Sequence, residues 1–92
     1  MMLHSIYKAP KGLIRVKLEV KNGIIKRAII TGDFFMVPED ALALFERHLS
    51  GVRFDEAAIS NAVSAFYLLG MSTPMLKKED FIKAIVGAKN ED

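Results

Sequence analysis

From Ile14 to Val20 the sequence alternates without a break. Ile14, Val16, Leu18 and Val20 fall on one side; Arg15, Lys17 and Glu19 fall on the other. Side chains along a strand point to opposite faces with period two, so this run predicts a half-buried strand with a wet outer side. Lys21-Asn22-Gly23 follows. Asn-Gly accepts the positive φ angles of a type I′ turn, whose twist suits two paired strands. The next run, Ile24 to Thr31, then returns antiparallel. It is rich in β-branched residues but alternates poorly, since Ile25 shares a face with Arg27, and Ile24 with Lys26 and Ala28. A bulge, or burial on both faces near its end, accounts for this. Two strands alone are marginal in water. Leu3 to Lys8 is read as a third.

Beyond residue 37 the period changes. Pro38 suits a first helical turn, where its missing N–H is not needed, with Glu39 and Asp40 at the positive end of the dipole. Leu42, Phe45 and Leu49, joined by Ala41, make one apolar stripe, and Gly51 marks a stop. Asp55 is placed to cap a second helix that buries Ile59, Ala62, Val63 and Phe66. Gly70 to Pro74 is a break. A third helix starts near Lys77 or Lys78 and buries Phe81, Ala84, Ile85 and Ala88, and the tail Lys89 to Asp92 is expected to fray. The 92 residues therefore predict one α+β domain spanning 1–92. A small antiparallel sheet of two or three strands, over about 3–31, packs against about three helices, over about 38–88.

Such a domain buries only about 60–65% of the surface its unfolded chain exposes. Yet 51% of the residues are hydrophobic and mean hydropathy is +0.22. That is rich for a small body alone in water, and it points to a partner that covers part of the surface. The chain has no cysteine, which excludes disulfides, zinc–thiolate and iron–sulfur sites and a thiol nucleophile. No basic leader precedes a long apolar stretch, and no apolar run approaches the ~20 residues of a spanning helix. A cytoplasmic protein is the expectation.

Charge is uneven. Residues 1–30 hold seven basic residues and one acid, a net +6, while the remainder hold six basic and ten acidic residues, a net −4. A basic face of this kind attracts phosphate, nucleic acid or an acidic protein. There is no phosphate-binding glycine loop and no His-Glu-x-x-His. His4 and His48 sit in separate elements and are read as structural. No serine, lysine or carboxylate stands in a nucleophile setting. The chain alone is not expected to catalyse a reaction.

One segment stands apart. The second strand of the hairpin runs into Thr31-Gly32-Asp33-Phe34-Phe35-Met36-Val37-Pro38. Connections run over the surface, and this one would place four apolar residues there. Gly32 permits a conformation or close approach closed to other residues, and Asp33 is a candidate acceptor for loop amides. Either the phenylalanines pack into the core and under the first helix, or the segment is a contact surface.

These residues carry a resemblance. Gly32-Asp33-Phe34-Phe35 with Pro38, then Phe45-Glu46-Arg47-x-Leu49-x-Gly51, resembles the small accessory domain of lipoate–protein ligases. Lys8-Ala9-Pro10-Lys11-Gly12-Leu13-Ile14-Arg15-Val16 is similar to that family's entry into its first long strand. Asn22-Gly23 and Glu79-Asp80-Phe81 also fit. The family usually has two glycines and a lysine before the strand; here the segment is one residue shorter, with Gly12 at the lysine's place.

The resemblance implies the α+β fold shared with sulfur-acceptor and iron–sulfur scaffold proteins, without their cysteine chemistry. It implies a non-catalytic subunit that joins a large catalytic subunit as a heterodimer. The pair activates lipoate with ATP to lipoyl-adenylate, and an acceptor protein is lipoylated afterwards. ATP, Mg and lipoate belong to the assembled enzyme, and no cofactor is expected on this chain alone. Lys8, Lys11, Gly12, Gly32, Asp33, Phe34 and Phe35 are the residues expected to face partner or substrates. The alternative from charge alone is a small basic nucleic-acid-binding module, which would use Arg15, Lys17, Lys21, Lys26 and Arg27 against phosphates. Tyr7 is the one aromatic in that region.

Overall fold

The computed structural model describes residues 1–90. Three strands, β1 (Met2–Ala9), β2 (Gly12–Lys21) and β3 (Ile24–Gly32), form an antiparallel sheet in the order β1-β2-β3. Three helices follow: α1 (Ala41–Leu49), α2 (Glu56–Leu68) and α3 (Lys78–Val86). The α+β architecture is as the periodicities predict.

The β2–β3 connection has φ 55° at Asn22 and 76° at Gly23, the signs a type I′ turn requires. The poor alternation of β3 is resolved by a bulge. Glu19 faces Arg27 but Val20 faces Ile25, so Lys26 is the extra residue. That one insertion returns Ile25, Ala28 and Ile30 to the core face, whereas strict alternation would turn Ile25 outward.

One face of the sheet is covered. α3 lies beneath β1 and β2, α1 lies beneath β3, and α2 packs on α1 and α3 on the side away from the sheet. Ser5 on β1 donates from its hydroxyl to the Ala84 carbonyl of α3 at 2.7 Å. The centre is aromatic. Phe45, Phe66 and Phe81 are buried, with ring centroids 4.8 Å apart for Phe45–Phe66 and 5.7 Å for Phe45–Phe81. The predicted stripes are the observed ones. Ala41, Phe45 and Leu49 are buried on α1, Ile59, Val63 and Phe66 on α2, and Phe81, Ala84 and Ile85 on α3. Leu42 and Ala62 are half-buried.

Asp55 caps α2 as predicted, its carboxylate accepting from the Ala58 N–H at 2.8 Å. At α3, Asp80 in the first turn accepts from the Lys77 N–H at 2.9 Å. His48 is half-buried, its Nε2 2.9 Å from the Ala62 carbonyl, and so serves structure.

Two expectations need correction. α1 begins at Ala41, three residues after Pro38. Val37 is held extended by a reciprocal pair of bonds to Ser72 (2.8 and 2.9 Å), so the chain makes a turn over Pro38–Asp40 before it can wind. The tail does not fray at Lys89, which exchanges two 2.9 Å bonds with His4 at the edge of β1. Glu91 and Asp92 lie outside the described residues.

Candidate functional site

The two expected glycines meet at one end of the sheet. Asp33 donates its N–H to the Leu13 carbonyl at 2.9 Å, which lays the residue 32–34 loop against the start of β2. Gly32 has φ +150°, and a Cβ there would stand 2.0 Å from the Leu13 carbonyl oxygen. A Cβ on Gly12 would stand 2.9 Å from the Asp33 carbonyl oxygen and 3.3 Å from the Leu76 side chain. Both glycines therefore permit close backbone packing. The Asp33 carboxylate is exposed and makes no hydrogen bond among the described residues. Its backbone, rather than its side chain, fastens the loop.

From this anchor the apolar segment runs extended, with alternating direction. Phe34 turns in and meets Phe81 edge-to-face at 5.1 Å, and Met36 is buried. Phe35 is 68% exposed and Val37 46% exposed. One phenylalanine is thus core and the other is surface. The Val37–Ser72 pairing ties this segment to the α2–α3 connection, and there the last residue of α2, Leu68, and the connection's own Leu69 and Met75 are exposed. Sequence reasoning missed these three. For Leu68 and Leu69 the signal was present in Leu68-Leu69-Gly70-Met71, which continues apolar beyond the buried stripe of α2.

Lys8 and Lys11 are separated. Lys8 follows the outer-face alternation of β1. Lys11, in the β1–β2 turn, borders an open groove of about 560 Å³ between that turn and α3. Tyr7, Pro10 and Met75 supply apolar walls, and Lys77, Glu79, Asp80 and Lys83 line the groove with Lys11. The Asn22-Gly23 turn lies at the far end of β2. Lys21 and Lys26 therefore belong to a different region from the apolar segment, whereas Lys11, Lys77 and Lys83 share the groove that Met75 also lines.

Beneath the groove lies a polar chain. Thr73, buried, donates its hydroxyl to the Leu76 carbonyl at 3.1 Å. The Tyr67 phenol, 2.7 Å from the Thr73 oxygen, is then the donor of that pair. Burial pushes the Tyr67 phenol above its ordinary range, and the nearby Asp80 and Glu79 carboxylates push the same way. Folded Tyr67 keeps its proton at a pH where the unfolded chain loses it. The associated stability is present below about pH 10 and is lost as pH rises through the folded value. Denaturant midpoints at pH 9 and 11 should fall more for the native chain than for Tyr67→Phe; equal falls would remove Tyr67 from the account.

No group of side chains among the described residues is arranged to hold a metal ion, and no described helix is long and apolar enough to cross a membrane. What the geometry offers is a contact surface on an anchored loop: exposed apolar side chains, and a groove lined by three lysines and two carboxylates. The chain belongs to the bacterial lipoate protein ligase C-terminus family, whose model matches residues 2–85. It is similar to lipoate-protein ligase A subunit 2 of Thermoplasma acidophilum, with 42% identity over 85 residues, covering 92% of this chain and 88% of that protein. Its fold is also that of a chain in a solved archaeal lipoylation system of T. acidophilum, comprising a bi-partite lipoate protein ligase and its E2 lipoyl domain. That match has a TM-score of 0.86 and 42% identity, over 92% of this chain and 94% of that one.

Proposed function

We propose that this chain is the non-catalytic accessory subunit of a two-component lipoate–protein ligase, working in the cytoplasm with a large catalytic subunit. The observation that carries the reading is Phe35. It is held outward by an anchored loop whose neighbours, Phe34 and Met36, are committed to the core. A side chain so presented loses little freedom on docking, which favours tight association.

The reaction explains why such a subunit is useful. The lipoate carboxylate attacks the α-phosphorus of ATP, forming lipoyl-adenylate and expelling pyrophosphate. An acceptor lysine amine then attacks the acyl carbon and releases AMP. The first step brings two anions together. A docked lid lowers its barrier by excluding water, fixing loops and adding positive potential. ATP, Mg and lipoate are held by the catalytic subunit. This chain contributes the Phe35 surface and the Lys11 groove.

The test is pyrophosphate release by the large subunit with and without this chain, alongside the affinity of the pair. Phe35→Ala should weaken association roughly thirtyfold, the ~2 kcal/mol of an interface hot spot, with an unchanged unfolding midpoint. Charge reversal at Lys8 and Lys11 should slow activation several-fold. If Phe35→Ala and Asp33→Ala both leave association and pyrophosphate release intact, the docking surface is wrongly placed. The nucleic-acid reading gains no support, because Tyr7 lines the groove beside α3 rather than interleaving with Arg15 and Lys17 on the outer face, as a stacking platform would need.

A further inference from the structure

The two edges of the sheet are treated differently. Along β3 the edge is closed. Ile25 donates to the Val52 carbonyl (2.8 Å) and accepts from the Gly51 N–H (2.7 Å), and Phe54 donates to the Gly23 carbonyl (2.8 Å). Ser50 donates from its hydroxyl to the Lys26 carbonyl at 3.1 Å, and the Ile30 N–H reaches a Glu46 carboxylate oxygen at 2.7 Å. Along β1, among the described residues, only His4 is covered, by Lys89. β1 pairs with β2 in unbroken register from Met2 to Ala9. Alternate residues of a strand direct their backbone groups to the same side. The N–H and C=O of Ile6 and Lys8 therefore point, like those of His4, away from β2. Among the described residues they meet no hydrogen-bond partner. At this same place Ile6 is 72% exposed.

Natural sheets close, charge or shorten such an edge because it is a template for another strand. Here the open stretch runs directly into the Pro10–Lys11 turn, at the end of the molecule that carries Phe35. We infer that the β1 edge from Ile6 to Lys8 receives an extended acidic segment of the large catalytic subunit, continuing the sheet across the subunit boundary. The inference rests on the heterodimer reading above. Strand addition supplies main-chain bonds for affinity and side-chain pockets for specificity. An incoming strand would send alternate side chains to two surroundings. One set lies on the outer face beside Lys8 and Arg15, which is Ile6's partner in β2, with Lys17 two pairs further along opposite His4. The other set lies over the groove bordered by Tyr7, Lys11 and Lys83. The outer face is basic, and the groove sets three lysines against Glu79 and Asp80, so positive charge prevails on both sides and the segment that fits carries carboxylates. The same charges oppose a second copy of this chain, since pairing two β1 edges would bring two basic faces together.

The measurement is residue-resolved amide hydrogen exchange of the isotopically labelled chain, alone and with the large subunit. The Ile6 and Lys8 amides should exchange freely in the isolated chain and at least tenfold more slowly in the complex. Ile6→Glu, which leaves the ladder to β2 intact and sets a carboxylate against those of the incoming strand, should weaken the complex at least fivefold at an unchanged unfolding midpoint. If the complex forms and activates lipoate while both amides exchange as in the free chain, the strand-addition inference falls and the docking reading stands. Protection that appears in the isolated chain and grows with its concentration would assign the edge to a second copy. Absence of any complex sinks both.

Discussion

Gly32→Ala should lower the unfolding free energy by about 3 kcal/mol or more, most of what a marginal domain of this size can lose. Two effects add. The residue sits at φ +150°, where an L side chain is strained, and its new Cβ would overlap the Leu13 carbonyl at 2.0 Å. The obstacle is backbone at the start of the central strand, its carbonyl already bonded to the Asp33 N–H, so it cannot swing aside. In thermal melts the shift should be roughly 12–24 °C. Gly23→Ala is the matched control. It also has positive φ, +76°, but nothing lies within 4 Å of the added carbon, so its cost should stay near 1 kcal/mol. Equal shifts for the two variants would mean that the loop relaxes around Gly32, and that the close approach to β2 is dispensable.

Phe81→Ala should cost about 3–5 kcal/mol, the range for emptying a buried phenylalanine site. Phe81 is fully buried and joins two parts of the molecule, stacking edge-on with Phe45 in the core and with Phe34 under the loop. Its loss opens a cavity and also frees the anchor behind Phe35. Guanidinium titration reads the first effect. The second appears as weaker association with the large subunit, measured under conditions where the variant is folded. Phe35→Ala should show the opposite pattern, with stability kept and association lost. A Phe81 variant that unfolds early yet binds normally when folded would separate the loop from the core and contradict the coupling described here.

Much of this architecture was legible in residue order. The alternation of Ile14–Val20, the Asn22-Gly23 turn, the irregular β3 pattern that admitted a bulge, the Asp55 cap and the three helical stripes are all local signals. Each acts within a few residues, so each survives being read one segment at a time. The start of α1 was not legible from Pro38, because the Val37–Ser72 pairing that delays it joins segments 35 residues apart. The candidate site was legible in part. Gly32 to Phe35 announced itself as an apolar connection, but the sequence could not choose which phenylalanine goes inward. That choice follows from the extended geometry of residues 34–37, which places Phe34 over Phe81 and leaves Phe35 outside. Lys8 and Lys11 are both expected to face partner or substrates; the strand's alternation and the turn after it send them to different places.

By itself the sequence determined the kind of layers, their order and the residues each layer buries, since periodicity and turn chemistry are short-range properties of the chain. Only the tertiary structure decided which surfaces remain unfinished. Phe35 with Met75, the Lys11 groove, and the bare backbone of Ile6 and Lys8 are defined by what fails to pack against them. A vacancy of that kind is a relation between distant segments, and it exists only once the sheet, the helices and their connections have taken their places.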